Sequence, residues 1–399
     1  MDHATQVALL RRIFGFLDER TTELAGAPYA NPVAAYTSAE RFARERSRLL
    51  HREPLFVGLS SDAASPGDYF THDASGIPIL VVRTSRGDLH AFLGLCRHRG
   101  AHVASGAGHV EGCFRCPYHG WTYDEDGRLV GQPSSGGFVG LDPDDLCLRR
   151  LPLGERHGMI FVRPTGTAPV DVDAHLGGAE RELAPFDLGR YVCFARHVTR
   201  RTMNWKLVVE TFLEAYHVPS LHARTLGPAI LGSPAAWDAF GWSGRLVAVR
   251  RSVDELRSRP ESEWSLLDHS VLLYLLFPNA ILIHQLDHVE VVQVHANRAD
   301  EATILYSLYT PEAVGDDRAR RHFQKNFDLL VDVTEREDFR IGEEIQSGFH
   351  APGSDRVIYG RNEPGVAHYH RMVNAVVEGA EDDGAVDLAP DSRRPRSRT

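Results

Sequence analysis

The chain has 399 residues, 43% of them hydrophobic and 25% charged, and a formal net charge of −10. That length is a soft prior for two or three domains, and the near-average composition excludes wholesale disorder and fibrous repeats. The negative charge argues against a nucleic-acid binder, and 5 cysteines beside 21 histidines exclude a disulfide framework and fit a reducing compartment, the cytoplasm.

The first twenty residues (MDHATQVALLRRIFGFLDER) are amphipathic and carry acids, without the apolar core or cleavage site of a targeting signal. Thr37-Ser-Ala-Glu40 has capping-box spacing and predicts a helix over Ala39 to His51. Residues 1–52 are therefore read as an N-terminal helical segment packing on the larger unit downstream. From Glu53 to about residue 165, short β-type runs (Leu55–Leu59, Ile79–Arg83, Leu89–Leu95, Met159–Val162) alternate with Gly, Asp and Pro clusters, as in a small all-β unit. Thr165 to Leu188 reads as a linker. Residues 166–380 are mixed: a strand near Tyr191–Arg201, a helix near Lys206–Tyr216, several strands between Leu246 and Tyr309, and a long helix from about Asp316 to Ser347. Ser270 to His284 is the longest apolar stretch, yet Pro278 and Asn279 interrupt it and it is too short to cross a bilayer. It reads as two buried strands joined by a turn. Residues 381–399 are charged, contain proline and lack large apolar side chains, the composition of a disordered tail. The fold class is α+β, and no membrane partner is expected.

Two Cys/His pairs stand out in the β unit. Cys96-Arg-His98 and Cys116-Pro-Tyr-His119 are separated by 17 residues, each after a strand-like run and each followed by a glycine, Gly100 or Gly120. Two loops on neighbouring hairpins that pinch one metal centre have this pattern, and thiolate plus imidazole suits zinc or iron–sulfur. The alternatives are buried cysteines with ordinary surface histidines, a zinc site that uses Cys113 in a Cys-x-x-Cys with Cys116, or a 2Fe-2S cluster with cysteines on one iron and histidines on the other.

His217 and His222 are a second pair. On an unbroken helix, residues five apart diverge by about 140°, but Pro219 lies between them and a proline ends the helix before it. The returning chain brings His222 toward His217. A carboxylate completes the 2-His-1-carboxylate set of non-haem iron(II) sites. The late helix offers Asp332, Glu335, Glu337, Asp338, Glu343 and Glu344, and its apolar stripe (Phe323, Phe327, Leu330, Val331, Thr334, Ile341, Ile345) discriminates among them. Asp338 falls within roughly 20° of Phe327, Glu335 and Glu337 about 80° to either side, and Glu343 nearly opposite. An acid in a buried stripe must be paired or ligated, which selects Asp338. Alternatively, His217 is a core histidine and Asp338 pairs with Arg336 or Arg340.

The CRHRG (Cys96–Gly100) and CPYHGWTY (Cys116–Tyr123) segments resemble the cluster loops of Rieske non-haem iron oxygenases. NWKxxxE…ExYHxxxxH (Asn204 to His222) and EDxxxxxE (Glu337 to Glu344) resemble the catalytic motifs of their α subunits. The likeness runs from about Tyr36 to Gly348. It implies a Rieske domain over 53–165 and, over 166–380, a helix-grip (START/Bet v1-like) catalytic domain with an antiparallel sheet and a long C-terminal helix. It further implies a Rieske cluster held by Cys96, Cys116, His98 and His119, with Cys113 as a strand residue, and a mononuclear Fe(II) held by His217, His222 and Asp338. Glu214 takes the place of the acid that bridges the cluster of one subunit to the iron of the next in a head-to-tail homotrimer. Many members have Asp there, and Glu resembles a subset that includes choline- and carnitine-type monooxygenases. Thr211 departs from the Asn common after the motif glutamate.

The implied activity uses O2 to hydroxylate (mono- or di-), or oxidatively demethylate, a small organic substrate, with an aromatic one expected. The chain has no GxGxxG or Walker motif, so NAD(P)H acts only through a partner reductase, with or without a ferredoxin; a β subunit is a further possible partner. The second expectation is a quaternary-ammonium monooxygenase with an aromatic cage drawn from Trp237, Phe240, Trp242, Tyr274 and Phe277, residues that serve a core equally well. The non-enzyme alternatives are a Rieske electron carrier and a zinc-stabilised binding protein. The substrate pocket is expected between Trp237 and His295, and the surplus His284, His288 and His295 either touch it or are compositional.

Overall fold

The computed structural model describes residues 1–379, so the tail expected at 381–399 lies outside the described residues. The chain opens with helix α1 (His3–Glu19), capped by the Asp2 side chain, which accepts from Thr5 N–H. After the single turn Ala34–Thr37, the helix Ala39–Arg44 is capped by Ser38 rather than by Thr37, because the Thr37 hydroxyl is engaged with the Val33 carbonyl. It then widens into a π-turn, Glu45–Leu50.

Short antiparallel strands follow. Arg150–Leu151, Leu89–Leu93, Ile79–Arg83, Asp68–His72 and Ala107–His109 form one sheet, and Leu153–Arg156, Met159–Val162 and Leu55–Leu59 a second. Cys113–Arg115, Thr122–Asp124 and Leu129–Gly131 form a third. Successive strand residues face opposite sides, and Ile79–Arg83 uses both. Leu80 and Val82 enter a small core with Phe92, Phe114, Trp121 and Tyr123, while Ile79 and Val81 enter the core shared with the second half of the chain.

The expected linker is ordered instead. Val172, Leu176, Ala179 and Leu183 recur at helical spacing and are buried on helices Val172–Leu176 and Glu180–Leu183 and the turn between them.

Seven strands then build one antiparallel sheet: β1 (Val192–Arg201), β2 (Ile230–Phe240), β3 (Ser243–Arg250), β4 (Ser270–Leu276), β5 (Ala280–His284), β6 (Val289–Arg298) and β7 (Glu301–Thr310), in the order β1-β7-β6-β5-β4-β3-β2. Both faces are covered. Val271, Leu275, Ile281, Ile283 and Val292 pack on one side, and Leu272, Leu276, Leu282, Val289 and Val291 on the other. Across the first face lie helix α2 (Trp205–Thr211), the short helix α3 (Val218–Leu221) and the long helix α4 (Asp317–Val333). The α+β architecture, with the β unit ahead of an antiparallel sheet and a long helix, is the one expected.

Two helical expectations are corrected. The helix expected to reach Tyr216 stops at Thr211; Glu214 accepts from the N–H groups of Tyr216 and His217 and starts a new turn. Pro219 therefore opens α3, where its missing N–H costs nothing, rather than ending α2. The late helix is likewise interrupted. A π-turn, Thr334–Asp338, separates α4 from α5 (Phe339–Gly348), and Ile345, expected in the buried stripe, is 41% exposed.

The N-terminal segment is pinned to α2 by a buried charge cluster. The Glu45 carboxylate accepts from Lys206 Nζ at 2.8 and 2.9 Å, from Trp205 Nε1 at 2.9 Å and from Arg41 Nε at 3.1 Å. Burial opposes the charge on Glu45, but Lys206 and Arg41 outweigh it and hold its pKa below the ordinary value. Removing one partner of such a pair strands the other charge. Lys206→Met is expected to cost roughly 3–5 kcal/mol of stability, read as a lowered denaturant midpoint.

Candidate metal centres and the chamber beside them

The two Cys/His loops fold alike although their spacings differ. In the first, Gly100 N–H donates to Cys96 C=O (2.8 Å) and Cys96 N–H to Ala101 C=O (2.7 Å). In the second, Gly120 N–H donates to Cys116 C=O (3.0 Å) and Cys116 N–H to Trp121 C=O (2.8 Å). Gly100 and Gly120 close the loops at φ of 73° and 72°, a conformation in which a Cβ is strained. Both cysteines are buried, and the His98 and His119 rings sit 4.5 Å apart. His119 is exposed, whereas His98 stacks on Trp121 at 5.0 Å and 8°.

Two observations fit these four side chains to a metal. Burial pushes the Cys96 thiol up, so a cation must sit beside it for a thiolate to form. His98 Nδ1 is buried and has no hydrogen-bond partner, which in a folded protein calls for an unseen ion or water. Cys113 stands exposed on the Cys113–Arg115 strand. The Tyr123 hydroxyl, to which the sequence reading assigned no role, lies 3.3 Å from Cys96 Sγ and accepts from Arg97 N–H at 3.0 Å.

In the second half, α3 and the π-turn bring His217, His222 and Asp338 together, with one ligand atom from each lying within 4.8 Å of the others. His222 Nε2 is 3.0 Å and His217 Nε2 3.6 Å from Asp338 Oδ1. Both outer nitrogens are held by acids: His217 Nδ1 by Glu214 and His222 Nδ1 by Glu337 Oε2 at 2.6 Å. Burial opposes a charge on His222, yet Asp338 and Glu337 outweigh it and keep its pKa above the ordinary imidazole value. The arginines considered as partners for Asp338 are engaged elsewhere, Arg336 with Asp332 and Arg340 with Glu344.

Glu337 escaped sequence reasoning because an α-helical wheel turns it well away from Asp338. Its neighbours behave as the wheel suggests, since Glu335 binds His197 and Arg201 at the helix flank. The wider π-turn instead lets the consecutive acids Glu337 and Asp338 grip opposite edges of the His222 ring.

Comparison with known proteins gives the chain's family. The family described as Rieske [2Fe-2S] domain matches residues 53–142, and the Ring hydroxylating alpha subunit (catalytic domain) matches 188–379. Together they span more than two thirds of the chain. The chain belongs to the Rieske oxygenases. It is 27% identical over 361 residues to the carnitine monooxygenase oxygenase subunit of Escherichia coli (strain K12), which covers 86% of this chain and 93% of that protein. It is 33% identical over 201 residues to the glycine betaine monooxygenase oxygenase subunit of Chromohalobacter salexigens, covering 50% of this chain and 44% of that one. The solved structure of a quaternary ammonium Rieske monooxygenase, described as giving insight into carnitine oxidation and inter-subunit electron transfer, superposes with a TM-score of 0.75 at 22% identity. That match covers 88% of this chain and 95% of the other.

As a Rieske oxygenase the protein is an oxidoreductase that carries a Rieske cluster and a mononuclear iron and takes electrons from a reductase to act on a small molecule. Beside the His217, His222 and Asp338 cluster lies a chamber roofed by α4. Its floor is aliphatic: Leu246 and Ala248 on β3, Val271 and Leu273 on β4, and Ile283 on β5. The floor thus comes from the stretch in which the pocket was expected.

The proposed aromatic cage is not there. Leu273 faces the chamber, so Tyr274 faces the opposite side, against Phe186, with its hydroxyl 3.1 Å from Glu182. Trp242 packs on Phe277 at 5.3 Å, Trp237 on His368 at 5.7 Å, and Phe240 on Arg245 at 5.6 Å. Among the described residues, Phe212 is the one Phe, Tyr or Trp that lines the chamber. Thr211 also lines it, with its hydroxyl tied to Leu207 C=O at 3.0 Å. His284 points away and burial lowers its pKa to about 4; His295 is held by Asp73 at 2.7 Å.

Two outcomes follow from the groups the sequence reading missed. Tyr123→Phe removes a hydrogen bond at a cluster sulfur and is expected to shift the reduction potential negative, read by protein-film voltammetry. Glu337→Gln is expected to weaken ferrous-iron binding by about 10–100-fold, measured by chelator competition with the cluster absorption unchanged.

Proposed function

We propose that this chain is the oxygenase subunit of a Rieske monooxygenase acting on a small organic ammonium compound. The observation that carries this reading is Glu214 on His217 Nδ1, beside a largely aliphatic chamber, in a chain whose relatives are named for carnitine and glycine betaine. Those names favour the ammonium compound over the aromatic substrate also expected from the sequence.

In this reading residues 53–165 carry electrons and 166–380 carry the chemistry. Cys96 and Cys116 hold one cluster iron, His98 and His119 the other, and His217, His222 and Asp338 hold the mononuclear iron. When bound, the cluster supplies single electrons and the ferrous iron activates O2 for insertion into a C–H bond. The protein's own groups do the rest. Glu214 and Glu337 keep the protons of His217 and His222 on Nδ1, so that both Nε2 lone pairs point inward. The aliphatic floor keeps water from the reacting carbon, and the half-buried His217 and Glu214 also border a groove on the outer side of the cluster of ligands.

That groove includes Glu210, Tyr359 and Ile358, the last 68% exposed, and it suits docking of the exposed His119 of a second copy. A head-to-tail homotrimer, which needs a heterologous interface, supplies such a contact through Glu214. No helix among the described residues is long and apolar enough to cross a membrane, and the cytoplasm is the proposed compartment.

The test reconstitutes the enzyme with a surrogate reductase and measures product-coupled O2 uptake on choline, glycine betaine, carnitine and an aromatic panel. Product from at least one ammonium compound is expected; product from aromatics alone overturns the reading. Glu214→Gln is expected to cost about 10–100-fold in turnover with cluster and iron retained, and full activity of that variant removes Glu214 from the electron path.

A further inference from the structure

The chamber ends in a polar corner that the reading above leaves unused. Strand registers place Leu246 opposite Leu273, Leu273 opposite Ile283, and Ile283 opposite Glu290, one row across β3, β4, β5 and β6. Three members of this row are the aliphatic floor. The fourth is a carboxylate that is 2% exposed and lines the chamber. Away from the metal ligands and Glu214, it is the one charged side chain lining the chamber among the described residues.

Glu290 has cationic neighbours but no close donor. Burial opposes a charge on His288, yet Glu290 and Asp287 outweigh it and keep its pKa above the ordinary imidazole value, and Arg250 feels the same Glu290 carboxylate. The nearest donors to Glu290 are Gln285 Nε2 at 3.4 Å and His288 Nε2 at 3.5 Å, although a buried carboxylate ordinarily gathers close donors. Arg250 on β3 spends its guanidinium on Gln285 Oε1 at 2.7 Å, which turns the Gln285 amide NH2 toward Glu290. Around them, Asp287 takes His288 Nδ1 at 2.7 Å and His322 of α4 at 2.8 Å. Arg250, His288, Asp287 and His322 all lie behind the chamber wall, not on it.

The corner lies at the end opposite the metal ligands. The Asp287–His322 contact ties it to the start of α4, near Asn326, which also lines the chamber.

A quaternary ammonium has no N–H to donate and is ordinarily held by aromatic faces. Here those faces turn away and a buried, under-coordinated carboxylate stands in their place. No lysine or arginine lines the chamber among the described residues, so a substrate carboxylate meets no lysine or arginine there. We infer that Glu290 is the specificity-determining residue, receiving the positive charge of an organic monocation without a carboxylate, whose uncharged end extends toward His217, His222 and Asp338. This rests on the chamber being the substrate site for an ammonium compound. It separates this chain from relatives named for zwitterions.

The test titrates the cluster- and iron-loaded enzyme calorimetrically with choline, its uncharged carbon isostere 3,3-dimethyl-1-butanol, and carnitine. The wild type is expected to bind choline about tenfold or more tighter than either, because Coulomb attraction is strong beside an apolar, low-dielectric wall. Glu290→Gln is expected to bring choline within about twofold of the isostere, with the isostere's own affinity unchanged, and Glu290→Asp to restore the preference. A Glu290→Gln enzyme that keeps the preference overturns this inference and leaves the ammonium reading standing. A wild type that does not prefer choline to the isostere overturns both, and one that binds carnitine as tightly as choline overturns the exclusion of zwitterions.

Discussion

A carboxylate buried beside two imidazoles must be answered by charge or coordination, and much of the second half of the chain is arranged to hold Asp338 in that position. It sits where the long helix widens into a π-turn, as functional sites in helices often do. The widening sets Glu337 and Asp338 on opposite edges of one ring, so a single helical turn supplies both a candidate ligand and the acid that orients another candidate. His217 is aimed by a different device, since Glu214 accepts from two backbone N–H groups and from the ring itself. Local backbone capping and ligand orientation are one contact there.

The β unit solves the same problem with less sequence. Two loops with different Cys/His spacings reach the same hydrogen-bond pattern because each closes on a glycine at positive φ. Both sulfurs are carried inside, with the His119 ring exposed and the His98 ring stacked on Trp121. The outward edges of the two sites differ in kind: His119 is exposed on a polar loop, whereas His217 borders a groove with Ile358 and Tyr359. Such unlike surfaces suit a head-to-tail contact between copies rather than a self-complementary one.

The side chains gathered at both sites were legible because their spacing is a local property: a Cys/His loop needs its glycine, and a helix wheel needs only the apolar stripe. The short strands Leu55–Leu59 and Ile79–Arg83 were legible for the same reason, bounded as they are by turn residues. What was not legible depended on packing. Tyr123 reaches Cys96 across a hairpin, and nothing in its own segment marks that contact. Glu337 required a π-turn that no residue type announces. In β4, Val271 to Leu276 is apolar or aromatic throughout and nearly all buried, so alternation does not reveal whether Leu273 or Tyr274 faces the chamber. An aliphatic floor and an aromatic cage were equally consistent with that sequence.

The choice between them is a matter of register, and the register is held from outside the sheet. A shift of one residue would exchange the two faces of a strand, turning Tyr274 inward and Leu273 out. The turn between β4 and β5 prevents this. Asn279 at its tip is fully buried, accepts from Phe56 N–H at 3.2 Å and donates to Phe56 C=O at 3.1 Å. Phe56 belongs to a strand of the β unit. Gln293 on β6 adds a weaker tie to the same Phe56 carbonyl at 3.3 Å. The β unit is thus also the clamp that fixes which face of β4 and β5 meets the chamber. The chamber's chemistry, aliphatic along its floor and, among the described residues, charged away from His217, His222, Asp338 and Glu214 at Glu290 alone, depends on a strand more than two hundred residues away in sequence.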